Sequence, residues 1–384
     1  MDKFNRKMNL SGLLASSSGF LLGPRSVGKS WLWRNTTKPA RVYDLLDLSV
    51  LRRLHARPGL IFEEAPEGPE RLVVVDEVQK FPELLNEVQR TIDQKGTRFL
   101  LTGSSARKLK RESANLLGGR AVLLELFPLS ASEIPDFELE RYLNHGGIPR
   151  HYLSAPDALD RLHDAYVSLY LKEEIKDEAL TRRVEDFARF IDVMALQNGE
   201  ELAIENFASD CGVKPSTFRN YLDIMKDTLI GFEVEPFLRT KKRKAITRSK
   251  VFLFDVGVTG FLAHRGRVQP GSIEFGRAFE HWVAMELRSY LRTTGKRLPL
   301  CYWRSTSQFE VDFVVGDQLA VEVKSTELVT EKHLCGLLAL QEEKLIRKAV
   351  VVSRDPLPRK IGDIEILPWK IFVQRLWAGD LLEV

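Results

Sequence analysis

The hydrophobic positions of this chain fall into three regimes. Early on, short apolar runs stand alone: Phe20 to Leu22, Leu72 to Val75, Arg98 to Leu101 and Ala121 to Leu126. The run Leu72 to Val75 is continuous rather than alternating, which predicts a strand buried on both faces of a parallel sheet. From 156 to 198 the spacing changes to threes and fours, with Leu159, Leu162, Ala165, Tyr166, Leu169 and Tyr170 predicting helices. Two further helices are expected at Ile204 to Cys211 and Ser216 to Met225, separated by a turn at Gly212. A long helix from about Glu274 to Leu291 carries a wide apolar face of Phe275, Phe279, Trp282, Val283, Met285 and Leu287. Strict alternation follows in Val311, Phe313 and Val315 and again in Leu319, Val321 and Val323, predicting a β-hairpin. A strand at Lys348 to Ser353, an edge strand at Ile361 to Leu367 and a short helix near Trp369 to Trp377 close the pattern.

Strands interleaved with helices make the expected fold class α/β. At 384 residues the length suits two or three domains. A 44% hydrophobic content excludes a wholly disordered chain, and 25 glycines with 17 prolines exclude collagen-like or low-complexity classes. The net charge of +4 leaves nucleic-acid contact to a local patch. Cys211, Cys301 and Cys335 are scattered, which argues for reduced thiols and against a zinc cluster. Lys3, Arg6 and Lys7 before Leu10 to Leu22 imitate a signal peptide, but Ser16 to Ser18 interrupt the stretch and it reads as a first strand. With no apolar run of about 18 residues, no membrane span is expected, and the location expected is cytoplasmic.

Chemistry enters at Gly19 to Ser30, GFLLGPRSVGKS. Gly23, four residues, then Gly28, Lys29 and Ser30 fit the Walker A pattern directly after an apolar strand. Such a loop wraps phosphates with backbone N–H groups, so Gly23, Pro24, Arg25, Ser26, Val27, Gly28, Lys29, Ser30 and Trp31 are the candidate ATP contacts. Lys29 would neutralise phosphate charge and Ser30 would ligate Mg²⁺. The strand Leu72 to Val75 ends in Asp76 and Glu77, placed to hold Mg²⁺ and to polarise the attacking water. After Arg98 to Leu101 come Thr102, Gly103, Ser104 and Ser105, where a polar residue such as Ser104 either senses the γ-phosphate or caps the next helix. Arg120 at the start of the next strand has two readings: a finger acting in trans within a homo-oligomer, or a surface salt bridge.

On these residues the N-terminal block resembles the bacterial and archaeal AAA+/STAND-type P-loop ATPases whose phosphate loop begins Gly-Pro-Arg. Pro128-Leu129-Ser130-Ala131-Ser132-Glu133 and the turn Gly146-Gly147-Ile148-Pro149 are similar to further landmarks of that family. Ser26 stands where the family often has Gln. The resemblance implies ATP and Mg²⁺ as cofactors and a C-terminal companion domain.

In the middle, Gly212 to Met225 resembles a helix-turn-helix, with Phe218, Tyr221, Leu222 and Met225 inward and Lys214, Thr217, Arg219 and Asn220 outward. The stretch 236–250, PFLRTKKRKAITRSK, holds seven cations and no acid. It reads as the wing of a winged helix whose Lys241, Lys242, Arg243 and Lys244, together with Arg219, contact DNA, or as a solvated basic loop.

The hairpin register that gathers its apolar residues on one face pairs Val315 with Leu319, Phe313 with Val321 and Val311 with Val323. Asp312 would then face Glu322, about 5 Å between Cβ atoms. Glu310 and Lys324 would be the next polar pair along the ladder. Asp312, nine residues, Glu322, one residue and Lys324 resembles the PD-(D/E)xK nucleases, with Val311 where that motif has Pro. The resemblance implies Mg²⁺ on Asp312 and Glu322, Lys324 assisting catalysis, Glu280 completing the acidic site and Arg304 clamping a phosphate. Two other readings stay open: Lys324 paired with Glu310 or Glu322 on a solvated face, or a nuclease fold without activity.

The expected organisation is a P-loop AAA+ core with a parallel sheet over 1–128, a helical lid and winged helix over 129–268, and a restriction-endonuclease-like α/β domain over 269–384. The expected function is Mg²⁺-dependent ATP binding and hydrolysis in a module acting on DNA. The alternative is a STAND-like regulatory switch whose C-terminal domain is an inactive binding platform.

Overall fold

The computed structural model describes residues 4–105, 117–171 and 184–383. The helix expected after Ser105 and the centre of the helical stretch 156–198 lie outside the described residues. The fold is mixed α/β. Contacts divide the chain into two compact units, Met1–Phe127 with Ile224–Ile230, and Pro128–Asp223 with Gly231–Val384.

The first unit is built on a five-stranded, wholly parallel sheet. Its strands are β1 (Ser18–Leu22), β2 (Arg41–Asp44), β3 (Leu72–Asp76), β4 (Arg98–Gly103) and β5 (Ala121–Glu125), in the order β2-β3-β4-β1-β5. Both faces of its centre are dry. Phe20, Leu22, Val73, Val75, Phe99 and Leu101 pack into one core, and Leu21, Val74 and Leu100 into another with Leu32 and Trp33 of the helix Lys29–Thr36. Continuous apolar runs are what such a sheet requires. At the edge, β5 leaves Val122 and Leu123 exposed.

The second unit carries an eight-stranded mixed sheet. Its strands are β6 (Gly231–Pro236), β7 (Lys250–Leu253), β8 (Leu300–Arg304), β9 (Glu310–Val315), β10 (Leu319–Lys324), β11 (Lys348–Ser353), β12 (Arg359–Ile361) and β13 (Ile364–Pro368), in the order β12-β13-β11-β10-β9-β8-β6-β7. The two helices expected on either side of Gly212 are Ile204–Asp210 and Pro215–Asp227. Phe218 and Tyr221 are buried against Phe187 and Phe190, while Lys214, Arg219 and Asn220 are exposed. The hairpin after it is not a free wing. Strand β6 pairs with β7 on one side and with β8 on the other, so these strands, expected in the middle section, belong to the C-terminal sheet.

The hairpin β9–β10 adopts the expected register at Val315 with Leu319 and Phe313 with Val321, but the ladder stops there. On its other side, β9 pairs Cys301 with Val314 and Trp303 with Val311. Two residues, Asp312 and Phe313, thus oppose Tyr302 alone, a β-bulge. The extra residue reverses the alternation, so Val311 joins Val314 in one core instead of sharing a face with Phe313. The predicted Val311–Val323 and Asp312–Glu322 pairs are therefore absent. Asp312 and Glu322 are buried, while Glu310 and Lys324 at the strand ends are half-buried.

The stretches 128–133 and 146–149 make structural contacts in the second unit. Asp255 accepts hydrogen bonds from Gly147 N (2.7 Å) and Val258 N (3.0 Å). A Cβ on Gly146, at φ 79°, would lie 2.0 Å from Asp255 Oδ1, so this turn needs glycine. Burial pushes Asp255 up to about 6. Glu286, on the helix Ile273–Thr293, accepts from Ala131 N (2.6 Å) and Trp377 Nε1 (3.0 Å).

Burial raises Glu286 from 4.5 to about 7. Between those values the folded chain keeps a proton that the unfolded chain has released. Glu286's contribution is therefore full below pH 4.5 and is lost as pH rises through 7. Relative to Glu286→Gln, the wild type is expected to lose roughly 3 kcal/mol of unfolding free energy across that window, measured by urea unfolding on either side of it. A pH-independent difference between the two proteins would refute this.

Candidate functional site

The P-loop site forms where β1, β3 and β4 end. Gly23 closes β1 against Leu126, whose carbonyl oxygen would lie 2.2 Å from any added Cβ. Arg6 donates to the carbonyls of Val27 and Phe127, tying the loop to the end of β5. Ser26 and Gly28 take left-handed φ values of 63° and 99°. Gly28 is the N-cap of the helix Lys29–Thr36 and supplies no capping side chain, which leaves the first-turn N–H groups to a ligand. Pro24 and Val27 are buried, Arg25 and Trp31 half-buried and Ser26 exposed. Lys29 is buried and donates from Nζ to Gly23 O (2.7 Å) and Pro24 O (3.1 Å).

The acid pair sits directly beside this loop. Ser30 Oγ donates to Asp76 Oδ2 at 3.1 Å, and Thr102 Oγ1 donates to Asp76 Oδ1. Glu77 has a left-handed backbone (φ 59°), a strained setting for this residue type, and its N–H donates to Thr102 Oγ1 at 3.3 Å. Gln79 Nε2 reaches both Glu77 Oε2 (2.5 Å) and Ser104 Oγ (3.1 Å). The ends of β3 and β4 are thereby joined into one polar network. Sequence reasoning named Ser104 in it but missed the parts of Thr102 and Gln79. A hydroxyl and a carboxylate side by side, next to a lysine and an uncapped helix terminus, fit a Mg²⁺-bound phosphate chain. Arg120 lies at the start of β5 and is paired with Asp93 at 2.6 Å on the surface.

The C-terminal cluster has a different character. Glu280 and Glu310 both contact Lys250, with Nζ 3.3 Å from Glu280 Oε1 and 2.7 Å from Glu310 Oε1. Lys250 was expected among the outward cations of 236–250. Instead it starts β7 and is buried, with its ammonium over the Tyr302 ring. Asp312 Oδ2 accepts from Val323 N (2.7 Å), and Lys324 Nζ donates to Glu322 Oε1 (2.5 Å). Arg304, the expected phosphate clamp, is bonded to Glu201 (3.0 Å) and Gln308 (3.0 Å). Burial, with neighbouring carboxylates, pushes Glu280 up to about 7 and Glu322 well above the ordinary carboxylate range. Burial works to lower Lys250, but Glu280, Asp312 and Glu310 outweigh it and hold the ammonium charged. Among the described residues no group of three or more His, Cys, Asp or Glu side chains is arranged to hold a metal ion. Lys250 and Lys324 occupy oxygens of Glu280, Glu310 and Glu322, the carboxylates gathered here.

The basic loop is stitched down along its backbone. Lys241, Lys242 and Arg243 donate their N–H groups to the Glu343 carboxylate, and Ile246 N donates to Arg304 O. Arg243 turns inward to Glu342 and Ala339 O, whereas Lys241, Lys242 and Lys244 stay exposed. Arg219 is exposed, 3.6 Å from Glu205. No described helix is long and apolar enough to cross a membrane.

Three family models divide the chain. Residues 16–135 match an AAA domain, 136–268 a domain of unknown function (DUF8612) and 275–372 another (DUF4143). An uncharacterized protein of Mycobacterium tuberculosis is 26% identical over 347 residues, 86% of this chain and 75% of its own length. Another from Haemophilus influenzae is 23% identical over 335 residues, 80% and 79%. A solved Walker-type ATPase of Pyrococcus abyssi aligns with a TM-score of 0.46 at 18% identity, over 66% of this chain and 93% of its own. By the match over residues 16–135, the N-terminal part of the chain is a P-loop domain of the AAA type.

Thr102→Val keeps the shape of the β4 end but deprives Asp76 of a donor. It is expected to weaken Mg²⁺-nucleotide binding roughly tenfold in a fluorescent-nucleotide titration. Unchanged affinity would show that Asp76 is held without it.

Proposed function

We propose that this chain is a Mg²⁺-dependent ATPase that holds ATP in the loop Gly23 to Ser30. The observation that carries this reading is the Ser30–Asp76–Thr102 hydrogen-bond chain beside Lys29 and the uncapped helix. Backbone N–H groups from Arg25 to Lys29 receive the phosphates, with Trp31 in the first helical turn behind them. Lys29 exchanges the carbonyls of Gly23 and Pro24 for phosphate oxygens, trading neutral acceptors for charged ones. Ser30 and Asp76 would hold Mg²⁺, which supplies charge neutralisation on the β- and γ-phosphates. Glu77 accepts a proton from the attacking water, held in place by Gln79 and by its own strained backbone. Ser104 reports the γ-phosphate through the same Gln79 amide.

Arg120 serves a neighbouring copy's nucleotide in this reading. Its exposed pair with Asp93 is of the readily broken kind. ATP turnover regulates contact with DNA through the exposed Lys241, Lys242 and Lys244 and, on the helix-turn-helix, Arg219. The docked backbone supports this by fixing where those cations stand. Arg243, turned inward, anchors the loop rather than reading phosphate.

Lys29→Ala is expected to abolish tight ATP binding in a calorimetric titration, and retained turnover would refute the assignment. Replacing Lys241, Lys242 and Lys244 with Gln is expected to lower DNA affinity and flatten its salt dependence by about one unit of slope per lost phosphate contact. An unchanged slope would leave the loop without a nucleic-acid role.

A further inference from the structure

Four carboxylates, Glu280, Glu310, Asp312 and Glu322, come together at the C-terminal cluster, and the chain answers them from within. Strand β7 begins at Lys250 and sends its side chain inward, 5% exposed. Its Nζ lies 2.7 Å from Glu310 Oε1, 3.3 Å from Glu280 Oε1 and 5.2 Å from the centre of the Tyr302 ring. Two carboxylate oxygens and an aromatic face make a complete cation site. Lys324 closes the other end on Glu322, while one Asp312 oxygen is spent on the Val323 N–H.

We infer that Lys250 is the resident cation of this cluster: its tethered ammonium holds the Glu280 and Glu310 end and keeps out the divalent metal ion that the sequence motif assigns to Asp312 and Glu322. The C-terminal domain therefore keeps an acidic constellation of nuclease type without binding Mg²⁺ or cutting DNA. Three observations carry the inference. Admitting a divalent ion between Glu280 and Glu310 would set two further positive charges against a buried ammonium that already holds those oxygens. Lys250 has no room to step aside, because its stem is enclosed and its strand is paired to β6 from Lys250 to Leu253. Lys324 Nζ sits 2.5 Å from Glu322 Oε1, so the far end of the cluster already carries an ammonium of its own. A tethered cation also wins on concentration. An intramolecular group competes at an effective concentration of millimolar order or more, against a free ion that must first shed water. The inference depends neither on ATP hydrolysis nor on DNA contact by the basic loop, so its failure leaves both standing.

The test is Mn²⁺ binding to the full chain without nucleotide, read as loss of the free-ion paramagnetic signal. Asp76→Asn is carried throughout to silence the P-loop site. This protein is expected to take up no Mn²⁺ at about 1 mM ion. Adding Lys250→Met is expected to open one site per chain, at least about tenfold tighter, and adding Asp312→Asn to abolish it again. If Lys250→Met does not fold, Lys250→Gln keeps a donor to both carboxylates without the charge and is expected to give the same gain. One Mn²⁺ bound by the Lys250 protein and lost on Asp312→Asn would overturn the inference. So would a folded Lys250 variant that gains no site, or Mn²⁺-dependent plasmid cleavage by the wild type that Asp312→Asn removes.

Discussion

Burial of both faces of the parallel sheet is the constraint on which the N-terminal unit rests. Strands β1, β3 and β4 can carry almost nothing but apolar side chains along their lengths, because helices and loops cover them on either side. Polar chemistry is displaced to the carboxyl ends, where the chain leaves the sheet and meets water. Gly23, Asp76 and Thr102 stand at three such ends, and strand order brings β4 between β1 and β3. Adjacency of the strands makes the hydroxyl of Thr102 a ligand of Asp76, and the helix after β1 swings Ser30 to the other oxygen of the same carboxylate. The site's geometry follows from packing before any nucleotide arrives.

The second unit answers a different problem. Its sheet buries carboxylates that the family landmarks and the nuclease-like motif bring into the interior, and each is met by a donor from elsewhere in the chain. Backbone N–H groups meet Asp255, an indole and an amide meet Glu286, and ammonium groups meet Glu280, Glu310 and Glu322. Removing any of these partners would leave a polar group in the interior unpaired. The bulge at Asp312 and Phe313 belongs to the same solution. It interrupts the ladder so that the Asp312 carboxylate can take the Val323 N–H.

How much of this was legible can be judged residue by residue. Lys29, Ser30 and Asp76 stood out because each belongs to a short local motif, and the fold sets Ser30 against Asp76. Thr102 and Gln79 carry no such local mark. Gln79 was within reach of inspection, being a polar residue two positions beyond Glu77, but its partner Ser104 comes from another strand. The hairpin register near its loop was readable from alternation, and the bulge was not, because an extra residue is registered only by the neighbouring strand that fails to match it.

Lys250 draws the dividing line. In the sequence it is the last of seven cations in an uninterrupted basic stretch and shares their apparent role. Strands β2, β6 and β8 went unread; by itself the sequence determined what is written in local pattern: β1, β3, β4 and β5, the phosphate loop, the acid pair and the hairpin near its loop. These depend on side chains within a few residues of one another. Tertiary structure alone decided which buried charge meets which, because a carboxylate in the interior selects its partner by position in space. That selection turned one lysine of a basic loop into the counter-ion of an acidic cluster, and its neighbours outward to solvent.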